Sequence, residues 1–317
     1  MFRSIVVAFA FALSCGAALA QKYPDKPVRM VVPFPPGGPL DLLARIYSAK
    51  LGERFGQSFL VENRPGATGS IGMDMVAKSA PDGYTLLWMI DAMVTVNPML
   101  YKQFGEPLER LRPVTLLTES VTALAIHPSV NARTVPEFVK LSQASDYSYA
   151  SAGSGSPGHR AMEYFKLATG AKLTHVPYNG NAPAIQSLIA GQTQAFMTPI
   201  AGALANVHAG KLRALAVASE KRAAELPDVP TMIESGYPDF RIASWFGVLV
   251  PASTPQSIVD VLDHEFVRIM GLEDVRSRLQ KAGLEPVSDT ASSMLARTRR
   301  ERVVWGEVIQ KTGMKIE

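Results

Sequence analysis

Cysteine is almost absent from this 317-residue chain, since Cys15 is the only one. It lies in an N-terminal stretch with the pattern of a removable leader, so the mature chain would hold no thiol. Disulfides and cysteine chemistry are therefore excluded, which agrees with an oxidising compartment. The sequence Ala12-Leu13-Ser14 ahead of Cys15 is a poor lipid-attachment site, so ordinary export is favoured over a lipoprotein.

Long apolar runs are also missing, and no stretch reaches the roughly 18 apolar residues that a membrane-spanning helix needs. Residues 1–20 instead combine one early charge, Arg3, with a short apolar run over residues 5–13 and the small-residue site Ala18-Leu19-Ala20. This pattern is typical of a secretory signal peptide. We expect cleavage after Ala20 and a soluble protein in the periplasm.

Signatures of catalytic and metal sites are lacking too. The sequence has no G-x-S-x-G nucleophile elbow and no H-E-x-x-H zinc motif. None of the five histidines has a partner at metal-ligand spacing; they are His127, His159, His175, His208 and His264. The sequence predicts no metal, no cofactor and no enzymatic activity.

Positive charge is in small excess, with a formal net charge of +4. The only basic cluster, residues 297–302, lies in a predicted C-terminal helix and includes Glu301. We interpret it as a solvated helix face. Nucleic acid would require a broader basic surface with interleaved aromatic residues, so it is excluded as a partner.

What the chain does have is a regular alternation of short apolar runs and helical patterns, which is typical of an α/β fold. The predicted strands lie within residues 28–34, 58–63, 84–90, 121–128, 147–151, 173–178, 195–200, 213–219 and 245–251. Helix signals stand between them, including a capping box from Thr134 to Glu137 and an amphipathic helix after Thr254-Pro255.

The length suits two domains. No long linker occurs, so the chain is expected to cross between domains in short segments near residues 115–123 and 238–246. This divides the mature chain into a first domain of residues 21–120 plus 243–317 and a second domain of residues 121–242.

Four predicted turns between a strand and a helix consist almost entirely of small residues and proline. They are residues 33–41, 62–72, 151–159 and 177–184. Such a turn lets the backbone approach a ligand, and the helix behind it presents unpaired N–H groups with partial positive charge. One such turn is usually only a tight connection, but four in one exported chain indicate anion binding.

The third turn contains Gly153, Gly155 and Gly158 in the spacing of a dinucleotide-binding fingerprint. That reading needs an acidic residue about twenty positions later, at the end of the next strand, to bind the ribose. The next strand, LTHVPYN, has none. The glycine spacing is therefore interpreted as a small-residue turn.

The sequence blocks VRMVVPFPPGGPLDLLAR, VENRPGATGSIGMDMVAKSAPDGYTL, YASAGSGSPGH and HVPYNGNAPAIQSLIAGQ occur in this order. Together with GKLRALAVASEKRAAELPDVPTMIESG, they resemble the Bug family of periplasmic receptors of tripartite tricarboxylate transporters. The resemblance implies a periplasmic binding protein-like fold of two α/β domains joined by two crossover segments. It also implies a cleft that closes over a small organic carboxylate, held by backbone amides, small side chains and water.

Carried over by position, the resemblance places ligand contacts on both domains. The candidate residues are Phe34, Pro36, Gly37, Gly38, Pro39, Ala67, Thr68, Gly69 and Asp91 in the first domain, and Ser151, Ser154, Ser156, His159, Tyr178, Asn179 and Thr198 in the second. Asp41 is interpreted as a cap near its helix start, because a bare carboxylate would repel an anion. A bulky residue at Gly38 is expected to block backbone approach and to strain a turn that needs positive φ.

Two segments depart from the usual family pattern. Residues 194–198 read QAFMT where two acidic residues are common, and residues 89–95 read MIDAMVT where Ser and His are common. If Met89, Met93, Met197 and Trp245 line the cleft, a carboxylate with an apolar or aromatic body is favoured; otherwise they are core residues.

Two further functions stay open at this point. A sensor input protein would use the same closing receptor, and an exported enzyme would turn the ligand over, although no catalytic constellation is present. The expected partners are a small carboxylate and the membrane subunits of a tripartite tricarboxylate-type transporter, with the chain itself a monomer.

Overall fold

A computed structural model describes residues 23–313, so the predicted signal peptide at residues 1–20 lies outside the described residues. The strands are β1 Val28–Val32, β2 Phe59–Asn63, β3 Thr85–Ile90, β4 Leu111–Ile126, β5 Ser148–Ser151, β6 Thr174–Pro177, β7 Ala195–Pro199, β8 Arg213–Val217, β9 Ala243–Pro251 and β10 Leu284–Thr290. The helices are α1 Pro39–Phe55, α2 Ser70–Ala77, α3 Ala92–Thr95, α4 Asn97–Leu100, α5 Pro107–Arg110, α6 Val135–Ala144, α7 Pro157–Thr169, α8 Asn181–Ile189, α9 Ile200–His208, α10 Gln256–Met270, α11 Glu273–Lys281 and α12 Ala291–Thr312.

The strands form one sheet in the order β2-β1-β3-β9-β4-β7-β5-β6, with β8 and β10 each paired to β4. All nine apolar runs predicted as strands are strands, which confirms the α/β assignment. Pairing is parallel among β1, β2 and β3 and among β5, β6 and β7. It is antiparallel wherever β4 and β9 take part, so the predicted parallel architecture holds only within each group of three strands.

β4 is shared by both ends of the sheet. Its residues 111–121 pair with β9, and residues 122–126 pair with β7. The change of partner falls at Val121, opposite Ala243, and at Thr122, opposite Pro199. We use the predicted boundaries to name the two sides: the first half is residues 23–120 plus 243–313, and the second half is residues 121–242.

Helices cover both faces of the sheet in each half. In the first half, α1, α10 and α11 pack on one face around Tyr47, Trp88 and Phe266, whose ring centroids lie 5.2 to 5.8 Å apart. In the second half, α6 and α7 bury Phe138 and Phe165 on one face, and α8 and α9 cover the other. Each half is therefore a three-layer α/β unit, and α12 of the first half adds Trp305 and Val308 to the apolar interior of the second half.

Both helix signals read from the sequence are confirmed. The capping box of α6 is present, with Thr134 and Glu137 each accepting from the other's backbone N–H. α10 begins directly after Pro255 and buries Leu262 and Phe266 on one side.

The interpretation of residues 297–302 as a solvated face is wrong for two of the four arginines. Arg297 has a side chain only 19% exposed, because its guanidinium pairs with Glu119 and Glu301. Arg302 is bidentate to Glu106 at 2.7 and 2.9 Å. The helical period turns Arg297 toward β4 and Arg302 toward α3, while Arg299 and Arg300 face solvent.

Candidate ligand-binding site

The topology brings the ends of six strands to one junction. The carboxyl ends of β1, β2 and β3 lie at one edge of the first half, and those of β5, β6 and β7 lie at one edge of the second half. Because β4 passes from one half to the other between Val121 and Thr122, the two edges face each other across that point. The four predicted turns follow β1, β2, β5 and β6, so all of them border the junction.

The first turn, residues 33–38, is held by polar groups beneath it. The amide of Gly37 donates to Asp41 Oδ2 at 3.0 Å, and Asn63 Nδ2 donates to both Asp41 Oδ1 and the carbonyl of Phe34. Asp41 thus lies near the helix start as expected, but the N-cap is Gly38, which has no side-chain cap; the Asp41 carboxylate instead fixes the turn ahead of the helix. The expectation for Gly38 is wrong in one respect: its φ is −79°, whereas the positive φ of 85° belongs to Gly37.

The second turn, residues 66–69, has an unusual backbone. Ala67 and Thr68 have φ of 46° and 49°, a left-handed conformation that is uncommon outside glycine. Asn97 Nδ2 donates to the carbonyl of Thr68 and to Ser70 Oγ, each at 3.0 Å, and the Tyr101 hydroxyl lies 3.2 Å from Thr68 Oγ1. These contacts keep a strained turn in place, which is a common feature of ligand sites.

The third turn, residues 151–156, leads into α7. Ser156 is the N-cap, and its hydroxyl accepts from the amide of His159 at 3.3 Å. His159 Nδ1 in turn accepts from the amide of Gly155 at 2.9 Å. Ser151 Oγ accepts from the amide of Gly153 at 3.1 Å and lies 2.7 Å from His175 Nε2.

The fourth turn follows β6. The amide of Tyr178 donates to the carbonyl of Ser151, so this turn packs beside the third. The Tyr178 hydroxyl lies 2.5 Å from Ser187 Oγ, on the helix behind the turn, while Asn179 is exposed. The predicted ligand residues of all four turns, including Pro36, Pro39, Gly69 and Ser154, therefore lie around one junction, and their contact with a ligand stays a prediction.

Asp91 and Thr198 lie deeper than the turns. Asp91 is 3% exposed, and its Oδ2 pairs with Arg160 of α7 at 3.3 and 3.4 Å. Burial raises the pKa of Asp91, while the Arg160 charge opposes this shift. Thr198 is fully buried, and its hydroxyl has no partner among residues 23–313.

The apolar residues that could have lined the cleft belong to the core. Met89, Met93, Met197 and Trp245 are all fully buried. Met93 packs beneath the second turn, where its sulfur lies 2.9 Å from the position that a Cβ on Gly69 would take. These four side chains therefore give no reason to expect a ligand with an apolar or aromatic body.

Several amides at the junction lack a hydrogen-bond partner within the described residues. Among them are the N–H groups of Gly38, Thr68 and Ser154, which are half-buried, and that of Gly158, which is buried. Two come from each half, and two stand at the N-terminal ends of α1 and α7, where the helix dipole favours an anion.

Charged side chains at the junction are paired. Arg45, Arg64 and Arg160, on the elements that carry the turns, each contact a carboxylate. No group of three or more His, Asp or Glu in the described part of the chain could hold a metal ion. The arrangement can therefore hold an anion through neutral donors.

Sequence reasoning missed the residues that support the turns, which are Asn63, Asn97, Tyr101, Arg160 and His175. Only Asn97 carries a local signal, as a polar residue before proline in an otherwise apolar stretch. Among residues 23–313, no helix has the length and apolar character needed to cross a bilayer.

Comparison with known proteins identifies the family of this chain. Residues 43–314 match the model of the tripartite tricarboxylate transporter family receptor, TctC. The chain is 34% identical to the protein BugT of Bordetella pertussis over 324 residues, covering 100% of this chain and 99% of the relative.

Two solved structures are also similar. Rpa4515 of R. palustris, solved with adipate, is 32% identical with a TM-score of 0.80, covering 92% of this chain and 99% of that one. MatC of Rhodopseudomonas palustris, solved with bound malate, is 30% identical with a TM-score of 0.76, covering 90% and 100%. The fold is periplasmic binding protein-like, as expected. The chain belongs to the Bug-type receptor family of tripartite tricarboxylate transporters.

Proposed function

We propose that this chain is a periplasmic receptor that captures a small organic carboxylate between its two halves and delivers it to the membrane subunits of a tripartite tricarboxylate-type transporter. In this proposal the protein acts as a monomer, closes on its ligand and does not alter it. The observation that carries the proposal is the set of four free amides, two from each half, at a junction where the cations are paired. The adipate and malate bound by the relatives support a carboxylate ligand.

The proposed contacts are the predicted turn residues, with the amides of Gly38, Thr68, Ser154 and Gly158 as donors. Hydrogen bonds from neutral N–H groups to a carboxylate are charge-assisted and stronger than bonds between neutral groups. We assign Asp91 an indirect part: it neutralises Arg160, so that no unpaired cation lies beneath the turns.

Calorimetric titration with adipate and malate tests the proposal, with adipamide as a matched ligand that keeps the chain length but lacks the charge. We expect a dicarboxylate to bind with one site per chain, adipamide to bind at least tenfold more weakly, and the ligand to be recovered unchanged by NMR. Small-angle scattering should show a smaller radius of gyration at saturation. Failure of every tested carboxylate to bind, consumption of the ligand, or equal binding of adipamide would overturn the proposal.

A further inference from the structure

Two histidine side chains stack directly behind the third turn. The rings of His159, on α7, and His175, on β6, are 3.9 Å apart between centroids and inclined by only 5°. The ring of Tyr149 on β5 lies beside the pair, with its centroid 4.9 Å from that of His175 and 6.3 Å from that of His159. His159 is only 8% exposed.

Each ring contacts the turn through one nitrogen. His159 Nδ1 accepts from the amide of Gly155, so this nitrogen is unprotonated and the proton of the neutral ring is on Nε2. His175 Nε2 lies 2.7 Å from Ser151 Oγ, which accepts from the amide of Gly153. The pair therefore fixes both sides of the turn that carries the free amide of Ser154.

The charges around the two rings act on their protonation in opposite directions. On α7, Arg160 pairs with Asp91 of the first half, and Lys166 pairs with Glu163 at 2.8 Å. On β5, the Tyr149 hydroxyl donates to the same Glu163. The charge of Glu163 raises the pKa of both rings and that of Lys166 lowers it, while a proton on each ring would place two cations 3.9 Å apart.

The pKa values agree with this arrangement. Burial, and next the neighbouring His175, lower the pKa of His159 from 6.5 to about 4. Burial also lowers the pKa of His175. Both rings are thus neutral at ordinary pH.

We propose that His159 and His175 are positioning residues of the binding site: their neutral, stacked rings hold the turn of residues 151–156 in the shape that binds carboxylate. The inference rests on the proposed function and concerns how the second half of the site is built. Protonation of His159 Nδ1 would place its N–H against the N–H of Gly155. The hydrogen bond between them would be lost, and the turn would be released. Affinity is therefore complete well above pH 4 and is lost as the pH falls through the His159 pKa of about 4.

Two substitutions of His159 distinguish the contribution of its hydrogen bond from that of its side-chain volume. His159→Asn keeps an acceptor near the position of Nδ1 but cannot titrate, whereas His159→Leu keeps similar volume without an acceptor. At pH 7.5 we expect adipate affinity to fall about tenfold in H159L and to change less than about threefold in H159N. His208→Asn, at an exposed histidine that ends α9, should change nothing.

NMR of the histidine nitrogens tests the same proposal in the unmodified protein. We expect His159 to be the Nε2–H tautomer at pH 7, to titrate well below 6.5, and to titrate lower still with adipate bound, because binding and protonation oppose each other. Between pH 7 and 4, the ratio of H159N affinity to unmodified affinity should rise, since protonation of the ligand affects both proteins equally.

The outcomes separate the two proposals. Full affinity in a folded H159L, an Nδ1–H tautomer, or an unchanged titration on binding would overturn the role of the histidines while leaving the receptor function intact. If the unmodified protein binds no carboxylate, the proposed function fails and this inference fails with it. If H159L does not fold, the tautomer and the ligand-dependent titration of the unmodified protein decide the matter.

Discussion

Gly158 and Gly38 both stand where a turn meets a helix, yet only one of them has to be glycine. A Cβ on Gly158 would lie 2.7 Å from the Met197 carbonyl oxygen and 2.7 Å from a Phe196 ring carbon. A Cβ on Gly38 would meet nothing closer than 3.9 Å, and φ there suits any residue. The close approach of α7 to β7 is what requires glycine at Gly158.

Replacing Gly158 by alanine should lower the free energy of unfolding by about 1–3 kcal/mol, because the added methyl group forces the helix away from the strand. Gly38→Ala is the matched control and should change stability by no more than about 0.5 kcal/mol. Urea denaturation followed by circular dichroism measures both. Equal losses in the two variants would contradict the packing argument.

The composition of the turns predicts where the backbone lacks bulky side chains. It does not predict which side chains from elsewhere in the chain support the turns. Asn63 and Asn97 each reach a turn 29 residues earlier in the chain, and His175 meets Ser151 across 24 residues. Such contacts depend on strand order and register, which local patterns do not determine. The same limit explains why positive φ was expected at Gly38 instead of Gly37.

Helix α7 links the turn to the interior of the second half through its first residues. Ser156 caps the helix by accepting from the His159 amide, while the Ser154 hydroxyl has no partner in the described chain. The two serines are therefore alike in sequence context but not in what they contribute to the folded state.

Ser156→Ala should lower the free energy of unfolding by about 1 kcal/mol through loss of the cap, whereas Ser154→Ala should leave stability unchanged. If both hydroxyls also contact the ligand as proposed, each variant should lose about 1 kcal/mol of binding free energy. Thermal unfolding without ligand and calorimetric titration separate the two effects. A stability loss in Ser154→Ala equal to that in Ser156→Ala would contradict the assignment of the cap.

Elements with a strong local pattern were predictable, and those defined by their neighbours were not. β10 was missed because Glu285, Pro286 and Asp289 interrupt any alternation; it is a strand because it pairs with β4 across a bulge. The first part of β4 was missed for a related reason, since Pro113 and Glu119 break its apolar run. Both segments are strands because they pair with a neighbouring strand: β10 with β4, and the first part of β4 with β9.

Across the whole molecule, the Asp91–Arg160 ion pair joins the two halves. Both side chains are at most 4% exposed, and the Arg160 guanidinium also lies 4.8 Å from the ring centroid of Trp305 on α12. Removing one charge from such a pair leaves the other buried without compensation.

Asp91→Ala should therefore lower the free energy of unfolding by about 3–5 kcal/mol. Glu220→Ala breaks the exposed pair with Arg241 and should cost at most about 1 kcal/mol. Chemical denaturation of both variants at one pH gives the comparison. Similar small losses would mean that the pair between the halves contributes little to stability.

The course of β4 has a consequence for how the chain folds. One unbroken strand supplies hydrogen-bonding partners to β9 on one side of the junction and to β7 on the other, and α12 places Trp305 and Val308 in the interior of the second half. A separately expressed fragment of residues 121–242 would lack those apolar side chains and would keep Arg160 without its carboxylate. Such a fragment is expected to aggregate, and the intact protein to unfold in a single cooperative transition.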